Sequence, residues 1–330
     1  MKEETRRKRE IALWQAFAVG DAMGMPTEFM RPEDIEKELG GRLPEGLLPA
    51  ALSYNHGNLP TGSVTDDTEQ NLYLLAQARG AGALTVEGTV EALKAWIKET
   101  GAVEKQYIGP SSLKALEKID EGMPAAQAGL GGTTCGGIMR TPAAVLWKQD
   151  QTREELADSI QRSLLPTHNS SEALEAAGAY GFALEKALEG GSLPEILEAA
   201  GQGGACLVER APYKACAPSA CARIAKAEHM ASFPEKEMLR LIFELWGTGL
   251  PSADVAGAVF AIFVKAGKDV WQAIRLATVI GGDTDTIAAL AGALCAAYAG
   301  GHNIPESVLQ QVLAVNRPLF EAKYPEGLGL

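Results

Sequence analysis

Two short polar segments carry the residue types most able to do chemistry. Residues 65–68 read Thr-Asp-Asp-Thr, and residues 281–286 read Gly-Gly-Asp-Thr-Asp-Thr. Each segment places two carboxylates and two hydroxyls within four residues, just before a stretch with helical periodicity. Carboxylate and hydroxyl oxygens are hard ligands, which suits Mg²⁺ or Mn²⁺. The pair of segments therefore indicates a metal site, provided that the fold brings the two together.

If the two segments come together, the repulsion between their carboxylates must be relieved. Four carboxylates would share a small volume, and like charges a few ångströms apart repel by several kcal/mol at an effective dielectric constant of about 20. Either some of the acids bind protons or cations neutralise them. Glu28, which follows Pro26 and Thr27 in an early loop, is a candidate fifth carboxylate. Five acids against two divalent ions leave a net charge of about −1, so a two-metal site is electrostatically reasonable.

Simpler interpretations remain open for each segment taken alone. Asp283 or Thr284 could cap the following helix by accepting hydrogen bonds from its free N–H groups. The other polar groups could be solvated residues at helix ends or in loops; these are Asp21, Glu28, Thr65 and Glu69.

Two other metal-binding patterns do not match the sequence. A calcium loop starting at Asp283 would lack its Gly and Glu, and no common zinc module has the spacing of the three candidate ligands Cys216, Cys221 and His229.

Composition limits the partners and the compartment. The 330 residues are 46% hydrophobic and 22% charged, with a formal net charge of −12. Such acidity disfavours nucleic acid as a partner. The five cysteines include no C-x-x-C pair, which favours free thiols in a reducing compartment. No apolar run reaches membrane-spanning length, and the charged start is unlike a signal peptide. We therefore expect a cytoplasmic protein that binds neither nucleic acid nor membrane.

The elements that position these groups are predicted to be helices. Most segments have a 3.6-residue period, no stretch is a convincing strand, and no linker divides the chain. We predict one all-α domain over residues 1–330. Residues 41–64 read as a long loop of functional character, and residues 129–140 as a glycine-rich loop that is not a P-loop. Helices are predicted at residues 7–23, 33–39, 66–78, 86–99, 111–119, 152–163, 171–189, 193–200, 218–229, 235–246, 252–266, 269–279, 285–299 and 305–315.

Five motifs, in this order, resemble those of the ADP-ribosylglycohydrolases. They are Gly-Asp-Ala-Met-Gly-Met-Pro-Thr-Glu-Phe at 20–29, the segment at 65–68, Gly-Gly-Ile-Met-Arg-Thr-Pro at 136–142, Pro-Thr-His at 166–168 and the segment at 281–286. The resemblance covers almost the whole chain. It implies an all-α fold, a site for two divalent cations (Mg²⁺ or Mn²⁺), and hydrolysis at the anomeric carbon of a ribose in an ADP-ribosyl group.

The resemblance also implies roles for individual residues. Glu28 would lie on a mobile loop and would be catalytic together with Asp66, Asp67 and Asp285. A backbone N–H cradle at Gly136 and Gly137 would hold phosphate or ribose. The metal ligands implied are Thr65, Asp66, Asp67, Asp283, Asp285 and Thr286. The substrate-binding residues implied are Gly136, Gly137, Met139 and His168, although His168 could equally be a capping or core histidine.

The substrate stays open at this stage. The loop at 133–139 departs from the Asn-Gly-x-x-Met-Arg form usual in the family, and residues 201–223 match nothing that we can place. The expected substrate is an ADP-ribosylated protein or a small ADP-ribosyl compound. One alternative is a nucleoside or another small N-riboside, and a second is a member without turnover. The chain is expected to be a monomer or a small homo-oligomer.

Overall fold

Apolar runs punctuated by glycine and proline form α-helices throughout the part of the chain that the structure describes. This computed structural model describes residues 3–105, 107–325 and 327–328, so six residues of the predicted 1–330 domain lie outside it. The helices are α1 (Glu3–Gly24), α2 (Pro32–Leu39), α3 (Asp66–Ala81), α4 (Val86–Thr100), α5 (Pro110–Asp120), α6 (Ala125–Ala128), α7 (Gly136–Met139), α8 (Thr141–Leu146), α9 (Arg153–Leu164), α10 (Ser171–Leu188), α11 (Leu193–Glu209), α12 (Ala220–Ile224), α13 (Ala227–Ala231), α14 (Glu235–Leu241), α15 (Ser252–Ala266), α16 (Val270–Thr278), α17 (Thr284–Ala299), α18 (Glu306–Val315) and α19 (Arg317–Lys323).

The all-α prediction is confirmed. The described ranges contain no strand, and two isolated β-bridges join Leu130 to Asn169 and Thr134 to Pro251. Both bridges fall on the glycine-rich loop and hold it against neighbouring segments. Short 3₁₀ turns follow α1, at Met25–Thr27, and interrupt the long loop, at Ala50–Leu52.

Some helix boundaries were predicted wrongly. The helix predicted to stop at residue 200 continues to Glu209, because its glycines pack closely instead of breaking it: a Cβ on Gly203 would lie 2.2 Å from the carbonyl oxygen of Gly178 in α10. The single helix predicted at 218–229 is two short helices, α12 and α13. The segment predicted as helix to residue 246 finishes in a π-helical turn, Ile242–Trp246, and the helices α6, α7, α8 and α19 were not predicted.

The centre of the core is the packing of α1 against α17. Gly20 and Gly24 make the close approach possible, since a Cβ at either position would lie 2.3 Å from a carbonyl oxygen of α17. Large side chains of α1 such as Trp14 and Phe17 are fully buried there. Each contributes about 2 kcal/mol through removal of apolar surface from water. This contact brings segments from both ends of the sequence together, which positions Asp21 near Asp285.

Within the described ranges, no helix is both long enough and apolar enough to span a bilayer.

Candidate metal centre

The first acidic segment begins α3, and a residue from another helix satisfies the free N–H groups there. Asp21 of α1 accepts hydrogen bonds from the backbone N–H and the hydroxyl of both Thr65 and Thr68, at 2.6–3.0 Å. Thr65 occupies the N-cap position, but its side chain makes no capping bond. The simpler interpretation of Asp21 and Thr65 as solvated groups is wrong, because both are fully buried. Asp66 and Asp67 are thereby free of any capping role.

The second acidic segment is held by a backbone turn. Residues 281–282 adopt φ values of +81° and +80°, which glycine tolerates without steric cost. A Cβ on the second glycine would lie 2.2 Å from a backbone carbonyl oxygen. That glycine accepts a hydrogen bond from the N–H of Phe29 at 2.7 Å and donates one to the carbonyl of Met30 at 3.1 Å. The turn therefore holds the loop that carries Glu28 beside Asp283.

Neither Asp283 nor Thr284 caps α17 with its side chain. Asp283 lies at the N-cap position without a side-chain capping bond. The Thr284 hydroxyl donates instead to the carbonyl of Gly24, at 2.8 Å. Asp285 accepts a hydrogen bond from the backbone N–H of Thr286 at 2.9 Å. The helix-capping interpretation of this segment is therefore wrong for both residues named in it.

The two segments meet in space. Carboxylate oxygens of Glu28, Asp283 and Asp285 lie within 4.8 Å of one another. The hydroxyl of Thr286 donates to Asp67 Oδ2 across the two helix starts, at 3.3 Å. Two of the acids that could have been solvated are in fact enclosed: Glu28 is 9% exposed, and Glu69 accepts a hydrogen bond from an indole N–H of α4.

Burial and mutual repulsion disfavour the charged form of the carboxylates in this cluster. Burial raises the pKa of Asp66, Asp67 and Asp285 well above the usual value, and repulsion from neighbouring carboxylates raises it further. Burial raises the pKa of Asp283 to about 6. Among the described residues, one oxygen each of Glu28, Asp67 and Asp283 has no hydrogen-bond donor. Unpartnered, buried carboxylate oxygens in close proximity fit divalent cations with oxygen preference.

These groups face a cleft of about 250 Å³, which we call the acidic cleft. Nine of the eleven residues predicted for the site line it: Glu28, Asp66, Asp67, Gly136, Met139, His168, Asp283, Asp285 and Thr286. Thr65 and Gly137 do not. Thr65 lies behind the wall, bound to Asp21, and Gly137 packs so closely that a Cβ there would lie 2.9 Å from the side chain of Leu164.

The glycine-rich loop owes most of its glycines to close packing. A Cβ at Gly132 would lie 2.2 Å from the carbonyl oxygen of Thr167, and one at Gly129 would lie 2.4 Å from that of Leu165. The glycines thus let the loop lie directly on the segment that carries His168. The prediction that backbone N–H groups of this loop bind phosphate or ribose stays a prediction.

Sequence reasoning missed several side chains of the acidic cleft. The long loop at 41–64 was predicted to be functional, and it supplies Asn55 and His56. His56 Nε2 lies 3.3 Å from a carboxylate oxygen of Glu28. Its ring contacts that of Tyr107 edge to face, with centroids 4.7 Å apart. Composition marked the loop as important, but no periodicity in it indicated which residues would face inward.

A fully buried arginine connects the acidic wall to the opposite wall. Arg140 donates to the side-chain oxygen of Gln70 at 3.1 Å and to the hydroxyl of Thr167 at 2.5 Å. Gln70 in turn donates to Asp66 at 3.1 Å. Burial lowers the pKa of Arg140 to about 10, and the charge of Asp66 opposes that shift. The arginine therefore remains a cation at neutral pH and helps to balance the acids.

His168 has both ring nitrogens engaged. Nδ1 lies 2.7 Å from the hydroxyl oxygen of Thr167, and Nε2 lies 2.9 Å from that of Thr134. Burial holds the pKa of His168 well below its usual value, and the charge of Arg140 adds to the effect. The imidazole is therefore neutral, and it is both a satisfied buried side chain and part of the cleft wall.

The fold is all-helical, and the first turns of two helices bring their carboxylates to one cleft. These two features define a class of helical proteins with an oxygen-rich site. The family model for ADP-ribosylglycohydrolase matches residues 2–324, so the chain belongs to that family. An uncharacterized protein of Archaeoglobus fulgidus is 31% identical over 304 residues, covering 89% of this chain and 88% of the relative. The uncharacterized protein YegU of Escherichia coli is 27% identical and covers 94% of both chains.

The names of two more distant relatives refer to hydrolysis of ADP-ribosyl groups. The ADP-ribosylarginine hydrolase Tri1 of Serratia proteamaculans is 25% identical over 310 residues, covering 91% of this chain and 74% of the relative. A solved structure described as an ADP-ribosylglycohydrolase-related protein complex superposes with a TM-score of 0.65 at 24% identity, covering 97% of this chain and 99% of that one. The latter likeness supports the helical fold.

Proposed function

We propose that this protein is a metal-dependent hydrolase that removes ADP-ribose from a modified protein side chain or a small acceptor. The bond broken would be the glycosidic bond at the anomeric carbon of the ribose. The convergence of five carboxylates on one cleft carries this proposal; four of them are buried, and among the described residues three keep an oxygen without a hydrogen-bond partner. Membership of the family and the name of the Serratia relative support the choice of substrate.

Two divalent cations, Mg²⁺ or Mn²⁺, would complete the site. Bound there, they would supply Lewis-acid polarisation of the reacting oxygens and lower the pKa of bound water. Thr65 is kept as a proposed ligand although it lies behind the cleft wall, because its hydroxyl donates a hydrogen bond to Asp21 and keeps its oxygen lone pairs free. The proposed ligands are Thr65, Asp66, Asp67, Asp283, Asp285 and Thr286.

Glu28 is the proposed general base. Its Oε2 makes no hydrogen bond among the described residues, although His56 Nε2 lies 3.3 Å away, and Glu28 lines the cleft, so this oxygen can accept a proton from an attacking water. Asp66, Asp67 and Asp285 would act with it by holding the ribose and the water in place. On the opposite wall, Gly136, Met139 and His168 are proposed to contact the substrate, with Gly137 supporting them from behind.

A nucleoside or another small N-riboside is a second candidate substrate. The cleft volume of about 250 Å³ lies below the range of about 300–1,000 Å³ typical of pockets for drug-sized ligands. A substrate without a diphosphate would need less room.

The free thiols of the described cysteines are consistent with action in the reducing cytoplasm, and we propose no nucleic acid or membrane partner.

One assay distinguishes the candidates. Purified protein with Mg²⁺ or Mn²⁺ is given ADP-ribosylated arginine peptide in one reaction and a panel of nucleosides in another. Release of ADP-ribose from the peptide supports the first candidate, and release of free base alone would transfer the proposal to the second. Absence of both reactions with either metal would count against catalysis altogether.

A variant tests the role of Glu28. Glu28→Gln keeps the size of the side chain but cannot take up the proton, so we expect kcat to fall about 100-fold or more while metal binding remains. An exposed acid far from the cleft, changed in the same way as Glu237→Gln, is the matched control. Unchanged turnover in Glu28→Gln would remove this residue from the mechanism.

A further inference from the structure

A chain of hydrogen bonds leads from a buried cation to a hydroxyl in the acidic cleft. Arg140 Nη2 lies 2.5 Å from the hydroxyl oxygen of Thr167, which lies 2.7 Å from His168 Nδ1. His168 Nε2 lies 2.9 Å from the hydroxyl oxygen of Thr134. Arg140, Thr167 and His168 are at most 1% exposed, whereas Thr134 is half-buried and lines the cleft.

The direction of each hydrogen bond follows from the chemistry of the groups. An arginine side chain has donors and no acceptor, so the Thr167 oxygen must accept from Arg140. The hydroxyl hydrogen of Thr167 then needs an acceptor of its own. Among the described residues, His168 Nδ1 is the group within reach. Nδ1 therefore accepts, and the hydrogen of the neutral imidazole is on Nε2.

The opposite tautomer would leave a buried donor without a partner. If His168 carried its hydrogen on Nδ1, Thr167 would accept two hydrogen bonds and its own hydrogen would have no acceptor in a site that is 1% exposed. Unsatisfied buried donors are costly and rare. With the hydrogen on Nε2, the imidazole donates to Thr134, whose own hydroxyl hydrogen is then directed elsewhere.

Thr134 lines the cleft, and hydrogen bonds hold the backbone around it. Its carbonyl accepts a hydrogen bond from the Ser252 hydroxyl at 2.8 Å. The next residue, Cys135, donates its N–H to the carbonyl of Leu250 at 2.7 Å. No acceptor for the Thr134 hydroxyl hydrogen occurs among the residues that the structure describes. A rigid backbone with a hydrogen-bonded oxygen forms a donor that is in place before the substrate binds.

We propose that Arg140 and Thr167 hold His168 in the Nε2–H tautomer, so that Thr134 offers its hydroxyl hydrogen to an acceptor oxygen of the substrate. Arg140, Thr167 and His168 are positioning residues in this arrangement, and Thr134 is the contact. The identity of the substrate rests on the proposed function, whereas the tautomer does not. An oxygen-rich sugar or phosphate supplies the acceptor that this donor needs.

The tautomer is measured directly by long-range ¹H–¹⁵N correlation spectra of the full chain labelled with ¹⁵N-histidine. The His168 signal is assigned by its loss in His168→Gln among the four histidines of the sequence. We expect the pattern of a neutral Nε2–H ring in the wild-type protein. A neutral Nδ1–H ring or a charged ring would overturn the proposal without any need for a variant.

Variants of Thr167 separate positioning from simple support. Thr167→Val removes the hydroxyl and should convert the His168 signal to a mixture of tautomers, whereas Thr167→Ser should keep the wild-type pattern. Thr89→Val is the matched control, since that residue is equally buried but its hydroxyl donates to the backbone carbonyl of Thr85, just before α4. An unchanged His168 pattern in Thr167→Val would also overturn the proposal.

The contact is tested by binding of ADP-ribose. Thr134→Val should weaken the affinity about tenfold, in line with the net value of one hydrogen bond, and Thr134→Ser should restore it. Equal affinity of Thr134→Val and the wild type would contradict the contact. Failure of the wild type to bind ADP-ribose would instead count against the proposed function, and the tautomer would still decide the positioning chain.

Discussion

The two acidic segments reach the same cleft by different means. The start of α3 is held by a side chain from another helix, because Asp21 satisfies the backbone and hydroxyl donors of Thr65 and Thr68. The start of α17 is held by the glycine turn at 281–282 and by its own Thr284 hydroxyl, which donates to the carbonyl of Gly24. In both cases groups other than the aspartates supply most of the support at the helix start, although Asp285 accepts one hydrogen bond from the N–H of Thr286. One oxygen each of Asp67 and Asp283 is thereby left available for a ligand.

The comparison also separates two kinds of buried carboxylate. Asp21 receives four hydrogen bonds and is fully satisfied, as expected of an acid that holds the fold together. Asp283 keeps one oxygen without a donor among the described residues, and its pKa is raised to about 6. Asp21 therefore has all the hydrogen bonds it needs without a cation, whereas Asp283 does not.

The largest expected effect comes from removing an incomplete acid. Asp285→Ala should lower kcat/KM about 1,000-fold or more, because the proposed metal site loses a carboxylate at its centre. It should also abolish the rise in Tm that Mg²⁺ produces in the wild type. Asp120→Ala, an exposed acid paired with Lys94, is the matched control and should change neither quantity. A variant at 285 that retains both would place the metal site elsewhere.

The glycine turn is expected to be the next most sensitive feature. Gly282→Ala should reduce the free energy of unfolding by about 3 kcal/mol, since it combines a positive φ with a clash against a backbone oxygen. Gly301→Ala is the control, because open space surrounds that glycine and its φ is not positive. Urea unfolding of both variants measures the difference, and equal stabilities would show that the turn tolerates a side chain.

Asparagine substitutions of the two kinds of buried carboxylate should change the stability of the metal-free protein in opposite directions. Asp21→Asn replaces an acceptor oxygen with a donor that faces N–H groups, so the metal-free protein should lose about 2 kcal/mol of stability. Asp283→Asn removes repulsion between unpaired charges and should stabilise the metal-free protein by about 1 kcal/mol. Thermal unfolding in EDTA measures both. Effects of the same sign would contradict the distinction.

The smallest effect is a dependence of stability on pH. Because the folded-state pKa of Asp283 lies at about 6, above its ordinary value, the folded metal-free chain binds more protons than the unfolded chain between about pH 4 and pH 6. Stability should therefore fall as the pH rises through that window, by about 1 kcal/mol per unit. Saturating Mg²⁺ should flatten the slope, which chemical unfolding at several pH values will test.

Local patterns predicted the acidic segments but not their supports. The doubled Asp and Thr residues before apolar helices are visible in the sequence, and so is the glycine turn. The role of Asp21 depends on the distance between α1 and α3, which no local pattern encodes. Arg140 and Thr167 meet His168 only through tertiary packing. Likewise, the helix predicted at 193–200 stops just before a run of glycines, whereas in α11 the glycine at 203 is a contact with α10.

The close packing of α1 on α17 has a consequence for protein synthesis. The first helix leaves the ribosome more than 250 residues before its partner does, a delay of roughly 10 to 60 seconds at usual elongation rates. Throughout that time the side chains of Leu13 and Phe17 lack the surface that later buries them. Chaperones are therefore expected to bind the nascent chain, and a ribosome that stalls before residue 284 would release an aggregation-prone fragment whose acidic cleft lacks at least Asp285 and Thr286.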